Sequence, residues 1–243
     1  MKLRLDKLLL IRNLADTRQK AQALIGAGEV LVNGQVADKA GTMIATEAVI
    51  EVRERCPYVS RGGLKLAKAM EAFSVNPAGL ICADIGASTG GFTDCLLQAG
   101  AAKVYAVDVG YGQLDWKLRQ DGRVVVMERT NARHLQAGDI PEPLHLAVID
   151  ASFISLKLLV PPLLPLFYPH PAAIIALIKP QFEVGRGRVG KGGIVRDSSL
   201  HDEVVAEIGT FAGSLGLFSL GVIESPLLGA KGNREFLIHL RGA

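Results

Sequence analysis

The sequence contains few cysteines and few aromatic residues. Its three cysteines, Cys56, Cys82 and Cys95, are an odd number without CxxC spacing, so they match neither a disulfide framework nor a zinc site. Aromatic residues make up 5% of the chain, although 49% of it is hydrophobic, and such an aliphatic composition suits a Val/Ile/Leu-rich parallel sheet. We therefore expect an α/β protein of a reducing compartment that needs no metal.

A signal peptide and long apolar runs are also missing. The apolar segment 156–167 is interrupted by Pro161, Pro162 and Pro165, and it falls short of the roughly 20 residues that cross a bilayer. The net charge is only +3. These features predict a soluble cytoplasmic protein without a membrane span.

Basic residues are concentrated at the beginning of the chain. Residues 1–25 contain six lysines and arginines but only two acidic residues. A basic end on a nearly neutral protein is typical of nucleic-acid binding. A solvated helical face has the same charge pattern, so charge alone leaves both interpretations open.

Residues 1–52 have the pattern of a small separate domain. Apolar residues at helical spacing predict a helix within residues 5–14 and a second one, capped by Asp16 or Thr17, that ends near Gly26. Asn33-Gly34 is a hairpin turn signal. Strands of a small sheet are predicted at residues 30–32, 35–36 and 49–52.

This domain resembles the RNA-binding domain named after ribosomal protein S4. The matching segments are residues 4–7, 17–18, 21–25 and 28–34. The resemblance implies RNA binding by the two helices, and long cations on short helices suit phosphate contacts. With almost no aromatic residues, recognition of structured RNA by shape and phosphate fits better than base stacking. The predicted RNA-binding cations of this domain are Arg4, Lys7, Arg18 and Lys20.

The rest of the chain alternates between strand and helix patterns. A charged segment, residues 53–59, is predicted to be a linker to a second domain, residues 60–243. Strands are predicted at residues 80–85, 103–107, 124–127, 146–150, 173–178, 217–223 and 236–240, and helices at 64–73, 93–99, 114–119, 155–166 and 199–214. The alternation predicts a doubly wound sheet, and the last two strands, with no helix between them, should be antiparallel. This pattern resembles the Rossmann-like, seven-stranded methyltransferase fold.

Residues 83–94, ADIGASTGGFTD, predict a strand, a glycine-rich turn and a helix. Glycines without a Cβ would let the edge of a cofactor approach the loop. A dinucleotide fingerprint requires a glycine where Ser88 stands, which disfavours NAD or FAD. Residues 86–90 also match the nucleophile elbow of hydrolases, but that elbow does not normally follow the first strand of the sheet.

S-adenosylmethionine fits this loop better. Asp84 suits its cationic end, and Asp108, after the second strand, suits its ribose hydroxyls, although Asp108 alone is equally explained as a helix cap. Asn131 and Ala132, after the third strand, are placed to meet the adenine. The predicted cofactor-binding residues are Asp84, Gly86, Ser88, Gly90, Gly91, Phe92, Asp108, Val109, Asn131 and Ala132.

Four further polar residues lie where ligands bind in such sheets. Asp150 ends the fourth strand and Lys179 ends the fifth, at the edge where open α/β sheets hold their ligands. Glu235 precedes the last strand, and Lys65 lies at the start of the first helix of the domain. Taken singly, each has an ordinary structural explanation: a capping aspartate, a snorkelling lysine or a solvated glutamate.

Together these four residues resemble the Lys-Asp-Lys-Glu tetrad of the FtsJ-like ribose 2′-O-methyltransferases. The whole chain, with its S4-like domain, resembles the TlyA family, whose members are also named haemolysins. The resemblance implies methylation of ribosomal RNA, with Lys179 at the centre, oriented by Asp150, and with Lys65 and Glu235 positioning the ribose. Lys179 would either take the proton of the hydroxyl or stabilise the developing alkoxide.

A glycine-rich basic loop, residues 185–196, follows the Lys179 segment. It predicts a clamp for RNA phosphates, although a disordered connector would have the same composition. The predicted RNA-binding residues of the second domain are Arg61, Arg186, Arg188 and Lys191. Two other functions stay open: a membrane-active haemolysin, and an RNA-binding protein with a silent methyltransferase fold.

Overall fold

The computed structural model describes residues 1–52, 56–185 and 187–243. It divides the chain into two compact units, Met1–Cys56 and Pro57–Ala243. The predicted linker, residues 53–59, spans this division, and its residues 53–55 lie outside the described residues.

In residues 1–52, the first unit forms two helices and five short strands. Its elements are β1 (Lys2–Arg4), α1 (Leu5–Ile11), α2 (Arg18–Gly26), β2 (Val30–Val32), β3 (Gln35–Val36), β4 (Met43–Ala45) and β5 (Ile50–Val52). The three predicted strands form one sheet, β3-β2-β5, and β1 and β4 form a second, two-stranded sheet that the sequence did not predict. Strands β1 and β4 were not predicted because they pair across about 40 residues of sequence and neither segment has a strand pattern of its own.

Local sequence signals of this unit are confirmed. Thr17 caps α2 by accepting a hydrogen bond from the Lys20 backbone N–H at 3.2 Å. Asn33 and Gly34 have φ values of 51° and 78°, as a tight hairpin turn requires. The core contains Leu5, Leu8, Leu9, Ala21 and Ile25, whereas Ile11, at the end of α1, is largely exposed.

The second unit is built around one seven-stranded sheet. Its strands are β6 (Ile81–Ile85), β7 (Lys103–Val107), β8 (Val124–Met127), β9 (Leu146–Ile149), β10 (Ala173–Ile178), β11 (Leu217–Glu224) and β12 (Phe236–Gly242). They lie in the order β11-β12-β10-β9-β6-β7-β8, and β12 is antiparallel to both of its neighbours. The predicted fold class, a methyltransferase sheet with an antiparallel last strand, is therefore confirmed.

Helices cover both faces of this sheet. They are α3 (Gly62–Ala72), α4 (Gly91–Gln98), α5 (Trp116–Arg119), α6 (Leu156–Leu163), α7 (Pro180–Glu183) and α8 (Ser198–Ser214). Two hydrophobic clusters result, one beneath α3 and α4 and the other beneath α6 and α8. Every residue of β9 and β10 is buried, because strands covered on both faces are apolar throughout rather than alternating. The parallel strands β6, β7, β9 and β10 bring their carboxyl ends to one edge of the sheet.

Candidate active site

Two adjoining cavities lie at the carboxyl ends of the parallel strands. The first, of about 400 Å³, contains Lys65, Asp84, Lys179 and Glu235 among its lining residues. The second, of about 510 Å³, lies over the ends of β7 and β8. Both are lined by Gly86, Ser88, Asp150, Ser152 and Phe153.

The four predicted tetrad residues meet in the first cavity as two ion pairs. Lys179 Nζ lies 2.6 Å from Asp150 Oδ1, because β9 and β10 are parallel neighbours whose ends carry these residues. Lys65 Nζ, in the first turns of α3, lies 2.6 Å from Glu235 Oε2, just before β12. Lys179 and Glu235 are 7% and 2% exposed.

Charges this deeply buried contribute little to stability, because the cost of removing them from water offsets much of their attraction. Their arrangement in a cavity therefore indicates a functional site. Gly229 makes room for one pair: a Cβ on this glycine would lie 1.9 Å from Glu235 Oε1.

The glycine loop packs closely against the rest of the protein. The absence of Cβ atoms leaves room for the protein's own atoms, in addition to any approach by a cofactor. A Cβ on Gly86 would lie 2.8 Å from the backbone oxygen of Asp150, and one on Gly90 would lie 2.2 Å from Leu118 Cδ1. Gly86 lines both cavities, whereas Gly90 packs beneath Leu118.

Two further loop positions, Gly91 and Ser88, are constrained by their protein contacts. A Cβ on Gly91 would lie 2.2 Å from Ser60 Oγ, although Gly91 and the buried Phe92 both line the first cavity. Ser88 adopts a left-handed φ of 49° without being a glycine. Its backbone N–H donates to Asp108 Oδ2 at 2.8 Å, which helps to hold this conformation.

Asp108 joins two loops rather than capping a helix. Its carboxylate accepts a hydrogen bond from the backbone N–H of Ser88 and a second one, at 2.6 Å, from the backbone N–H of Gly110. A carboxylate offers about four acceptor positions, so capacity remains for ribose hydroxyls. Val109, Asn131 and Ala132 line the same second cavity.

Asp84 is a buried acid with one unused oxygen. Its Oδ2 accepts two hydrogen bonds from Thr93, at 2.8 Å from the backbone N–H and 2.6 Å from the hydroxyl. Within the described part of the chain, Oδ1 has no hydrogen-bond partner. Burial, together with the nearby charge of Asp150, raises the pKa of Asp84 to about 7. A ligand that carries a positive charge would satisfy both the free oxygen and the buried charge, so these residues fit the cationic end of S-adenosylmethionine.

The predicted RNA-binding cations of the first unit are partly engaged with carboxylates. Arg4 donates two hydrogen bonds to the fully buried Asp6, at 3.0 and 2.9 Å, and Arg18 donates one at 3.1 Å. The Arg4 contact holds the pKa of Asp6 well below its usual range. Lys20 pairs with Asp16 at 2.9 Å, and Lys7 is exposed.

The cations of the second unit differ in their surroundings. Arg61 is exposed and lines the first cavity, and Lys191 is also exposed. Arg188 forms a bidentate pair with Glu203 of α8, at 2.6 Å for the Nη1 contact. Arg186 lies outside the described residues.

Several lining residues were not predicted from the sequence. Ser152 and Phe153 lie two and three residues after Asp150, and Gln181 lies two residues after Lys179, so their position after strand ends was the available signal. Phe153 has a left-handed φ of 64°, is 90% exposed and lies with its ring centroid 5.1 Å from that of Phe182. Gln181 Oε1 is a second buried oxygen that lacks a partner among the described residues.

The described residues contain neither a metal-binding cluster nor a membrane-spanning helix. In residues 1–52, 56–185 and 187–243, no group of His, Cys, Asp and Glu side chains is arranged to hold a metal ion. None of the helices in these segments is both long and apolar enough to cross a bilayer.

The sheet order, the antiparallel last strand and the cavities at the strand ends define a protein of the Rossmann-like methyltransferase class. The model of the FtsJ-like methyltransferase family matches residues 58–242, and the S4 domain model matches residues 3–50. The chain therefore belongs to the FtsJ-like methyltransferases, and among them to the TlyA family, which combines these two domains.

Close relatives cover almost the whole chain. TlyA of Mycobacterium tuberculosis, named a 16S/23S rRNA (cytidine-2′-O)-methyltransferase, is 49% identical over 98% of this chain and 89% of its own length. Hemolysin A of Brachyspira hyodysenteriae is 43% identical over 98% of this chain and 99% of its own. The solved structure of a provisionally named hemolysin from Streptococcus thermophilus is 45% identical and covers 100% of this chain and 89% of that one, with a TM-score of 0.78.

Proposed function

We propose that this protein transfers a methyl group from S-adenosylmethionine to a ribose 2′-hydroxyl of ribosomal RNA. The observation that carries the proposal is the meeting of two ion pairs, Lys179–Asp150 and Lys65–Glu235, each with one buried partner, in one cavity beside a second cavity of suitable size for a nucleoside. The name of the Mycobacterium tuberculosis relative supports the substrate class, and it makes cytidine the nucleotide to test first.

The cofactor would lie across the two cavities. Bound S-adenosylmethionine supplies a methyl group activated by a positively charged sulfur. Asp84 would accept a hydrogen bond from the cationic amino-acid end through its free Oδ1. Asp108 would accept hydrogen bonds from the ribose, and Asn131 and Ala132 would contact the adenine.

The tetrad would prepare the acceptor hydroxyl, which is a weak nucleophile. Lys179 would meet this hydroxyl, either as a neutral amine that takes its proton or as a cation that stabilises the alkoxide. Asp150 fixes Lys179 at 2.6 Å. Lys65, in α3, and Glu235, just before β12, lie against each other and would position the ribose.

RNA would be held by cations outside the tetrad. Lys7, Arg4, Arg18 and Lys20 of the S4 domain would contact phosphates, and so would Arg61, which lines the first cavity, and the exposed Lys191. Arg186 and Arg188 of the basic loop are further candidates for phosphate contacts. Such a substrate would place the protein in the cytoplasm.

The experiment is methyl transfer from labelled S-adenosylmethionine to small subunits, large subunits and free ribosomal RNA, followed by mapping of the ribose methylation. Lys179→Ala should abolish transfer while calorimetry shows retained cofactor binding. Lys157→Ala is the matched control, because Lys157 pairs with Glu207 on the surface away from the cavity lining. Full activity of Lys179→Ala would contradict the tetrad assignment, and absence of transfer to any RNA by the unaltered protein would contradict the proposed function.

A further inference from the structure

Lys179 has a second partner besides Asp150. Its Nζ also donates a hydrogen bond to Ser152 Oγ, at 2.9 Å. Ser152 lies two residues after Asp150, and all three side chains line the first cavity. We infer that Ser152 is a positioning residue for methyl transfer, which fixes the direction in which Lys179 meets the acceptor hydroxyl. This inference rests on the proposed function.

The number of hydrogen-bonding positions on an amine explains the role. The tetrahedral Nζ of lysine has one bond to carbon and three further positions. Asp150 Oδ1 and Ser152 Oγ occupy two of these as acceptors of N–H groups. One position is left for the substrate. It holds a lone pair if Lys179 is neutral and a hydrogen if Lys179 is charged, so Ser152 orients the residue in either state.

With Asp150 alone, this direction would not be fixed. A single acceptor defines one N–H direction, and the side chain can still rotate about that contact. Two acceptors on different sides of Nζ remove this rotation, and reacting groups must be aligned closely for efficient catalysis. A serine hydroxyl is suited to the second position because it accepts without adding a second negative charge next to Asp150.

Hydrogen bonds between neighbouring segments keep Ser152 close to Lys179. The side chain of Glu183, on α7, accepts hydrogen bonds from the Ser155 hydroxyl at 2.5 Å and from the Leu156 backbone N–H at 2.8 Å. Helix α7 starts at the residue after Lys179, and Ser155 lies three residues after Ser152. These bonds therefore tie the loop that carries Ser152 to the segment that carries Lys179.

The test compares Ser152→Ala and Ser152→Thr in the full chain. Loss of the hydrogen bond that orients Lys179 predicts a kcat lowered about tenfold to a hundredfold for Ser152→Ala. The KM for RNA and the Kd for S-adenosylmethionine should stay within about twofold, because the serine acts on the lysine and not on binding. Ser152→Thr retains the hydroxyl and should restore most of the kcat.

A control variant separates this effect from the loss of any surface hydroxyl. Ser199→Ala removes a hydroxyl that also bonds one side chain, Asp197 Oδ1 at 2.7 Å, but that lies outside both cavities. It should leave kcat unchanged. An unchanged kcat in Ser152→Ala, a change confined to KM or Kd, or a failure of threonine to restore activity would overturn the inference.

A stability measurement tests the contact without using activity. Ser152→Ala should lower the midpoint of thermal unfolding in the otherwise unaltered protein, and lower it less when Lys179 is replaced in Lys179→Met, because the partner is then gone. If Ser152→Ala lowered the unfolding midpoint equally in the unaltered protein and in Lys179→Met, the inferred contact between Ser152 and Lys179 would be overturned. This measurement remains decisive even if the unaltered protein methylates no RNA, so failure of the inference and failure of the proposed function are distinguishable.

Discussion

Replacement of Asp84 by asparagine should change how the stability of the protein depends on pH. Asp84 is completely buried, and its pKa lies at about 7 rather than 3.8, mainly because burial disfavours the charged form. Between these two pH values the native state keeps a proton that the unfolded chain has already released. The contribution of Asp84 to the free energy of unfolding therefore falls as the pH rises from about 4 to about 7.

The size of this effect follows from the difference between the two pKa values. Each unit of difference corresponds to 1.36 kcal/mol, so ionisation of Asp84 costs the native state on the order of 4 kcal/mol above pH 7. An asparagine does not titrate, and its side-chain oxygen can still accept both hydrogen bonds from Thr93. The stability advantage of Asp84→Asn over the unaltered protein should thus grow by on the order of 4 kcal/mol between pH 4 and pH 8.

The assay is urea unfolding of the full chain without cofactor, at several pH values, followed by circular dichroism. Only the difference between the two proteins at each pH matters, because the contributions of all other titrating groups then cancel. Asp121→Asn is a control of opposite sign: hydrogen bonds from Arg123 lower the pKa of Asp121 to about 2, so that variant should lose stability above pH 4. Parallel stability curves for Asp84→Asn and the unaltered protein would refute the desolvation argument.

Three further predictions concern binding and the tetrad. Affinity for S-adenosylmethionine, measured by calorimetry, should increase from pH 6 to pH 8, because its cationic end favours ionised Asp84; an equal increase in Asp84→Asn would contradict this. Gly229→Ala should lower methyl transfer at least tenfold, because its Cβ would collide with Glu235 and separate the pair with Lys65; activity equal to that of the unaltered protein would show that the loop adapts. Asp6→Ala should lower the free energy of unfolding of the first unit by about 1–3 kcal/mol, because Arg4 and Arg18 lose their shared acceptor. The same loss should weaken RNA binding, measured by filter binding. An unchanged RNA affinity would show that Asp6 does not contribute to RNA recognition.

Much of the fold could be read from the sequence because its signals are local. The apolar runs of β9 and β10, the cap at Thr17 and the turn at Asn33-Gly34 each depend on a few neighbouring residues. Strand β1 escaped detection because its partner, β4, lies about 40 residues away and neither segment has a pattern of its own. Pairing between distant short segments is a property of the folded chain.

The glycine-rich loop also combines a feature that the local sequence determines with one that depends on the tertiary structure. The sequence by itself determined that a strand, a tight turn and a helix follow one another there, because left-handed backbone conformations favour glycine. Only the tertiary structure decided that the space beside Gly86 and Gly90 is filled by Asp150 and Leu118, since these contacts join strands and helices that are far apart in the chain.

For the candidate site, the sequence placed Asp150 and Lys179 at the ends of strands, and the resemblance to the FtsJ-like tetrad added Lys65 and Glu235. It could not determine that they meet as two separate ion pairs, or that Ser152 shares Lys179 with Asp150. The order of strands in the sheet decides which ends are neighbours, and side-chain packing within a few ångströms decides which atoms touch. Both arise only when the whole sheet has formed.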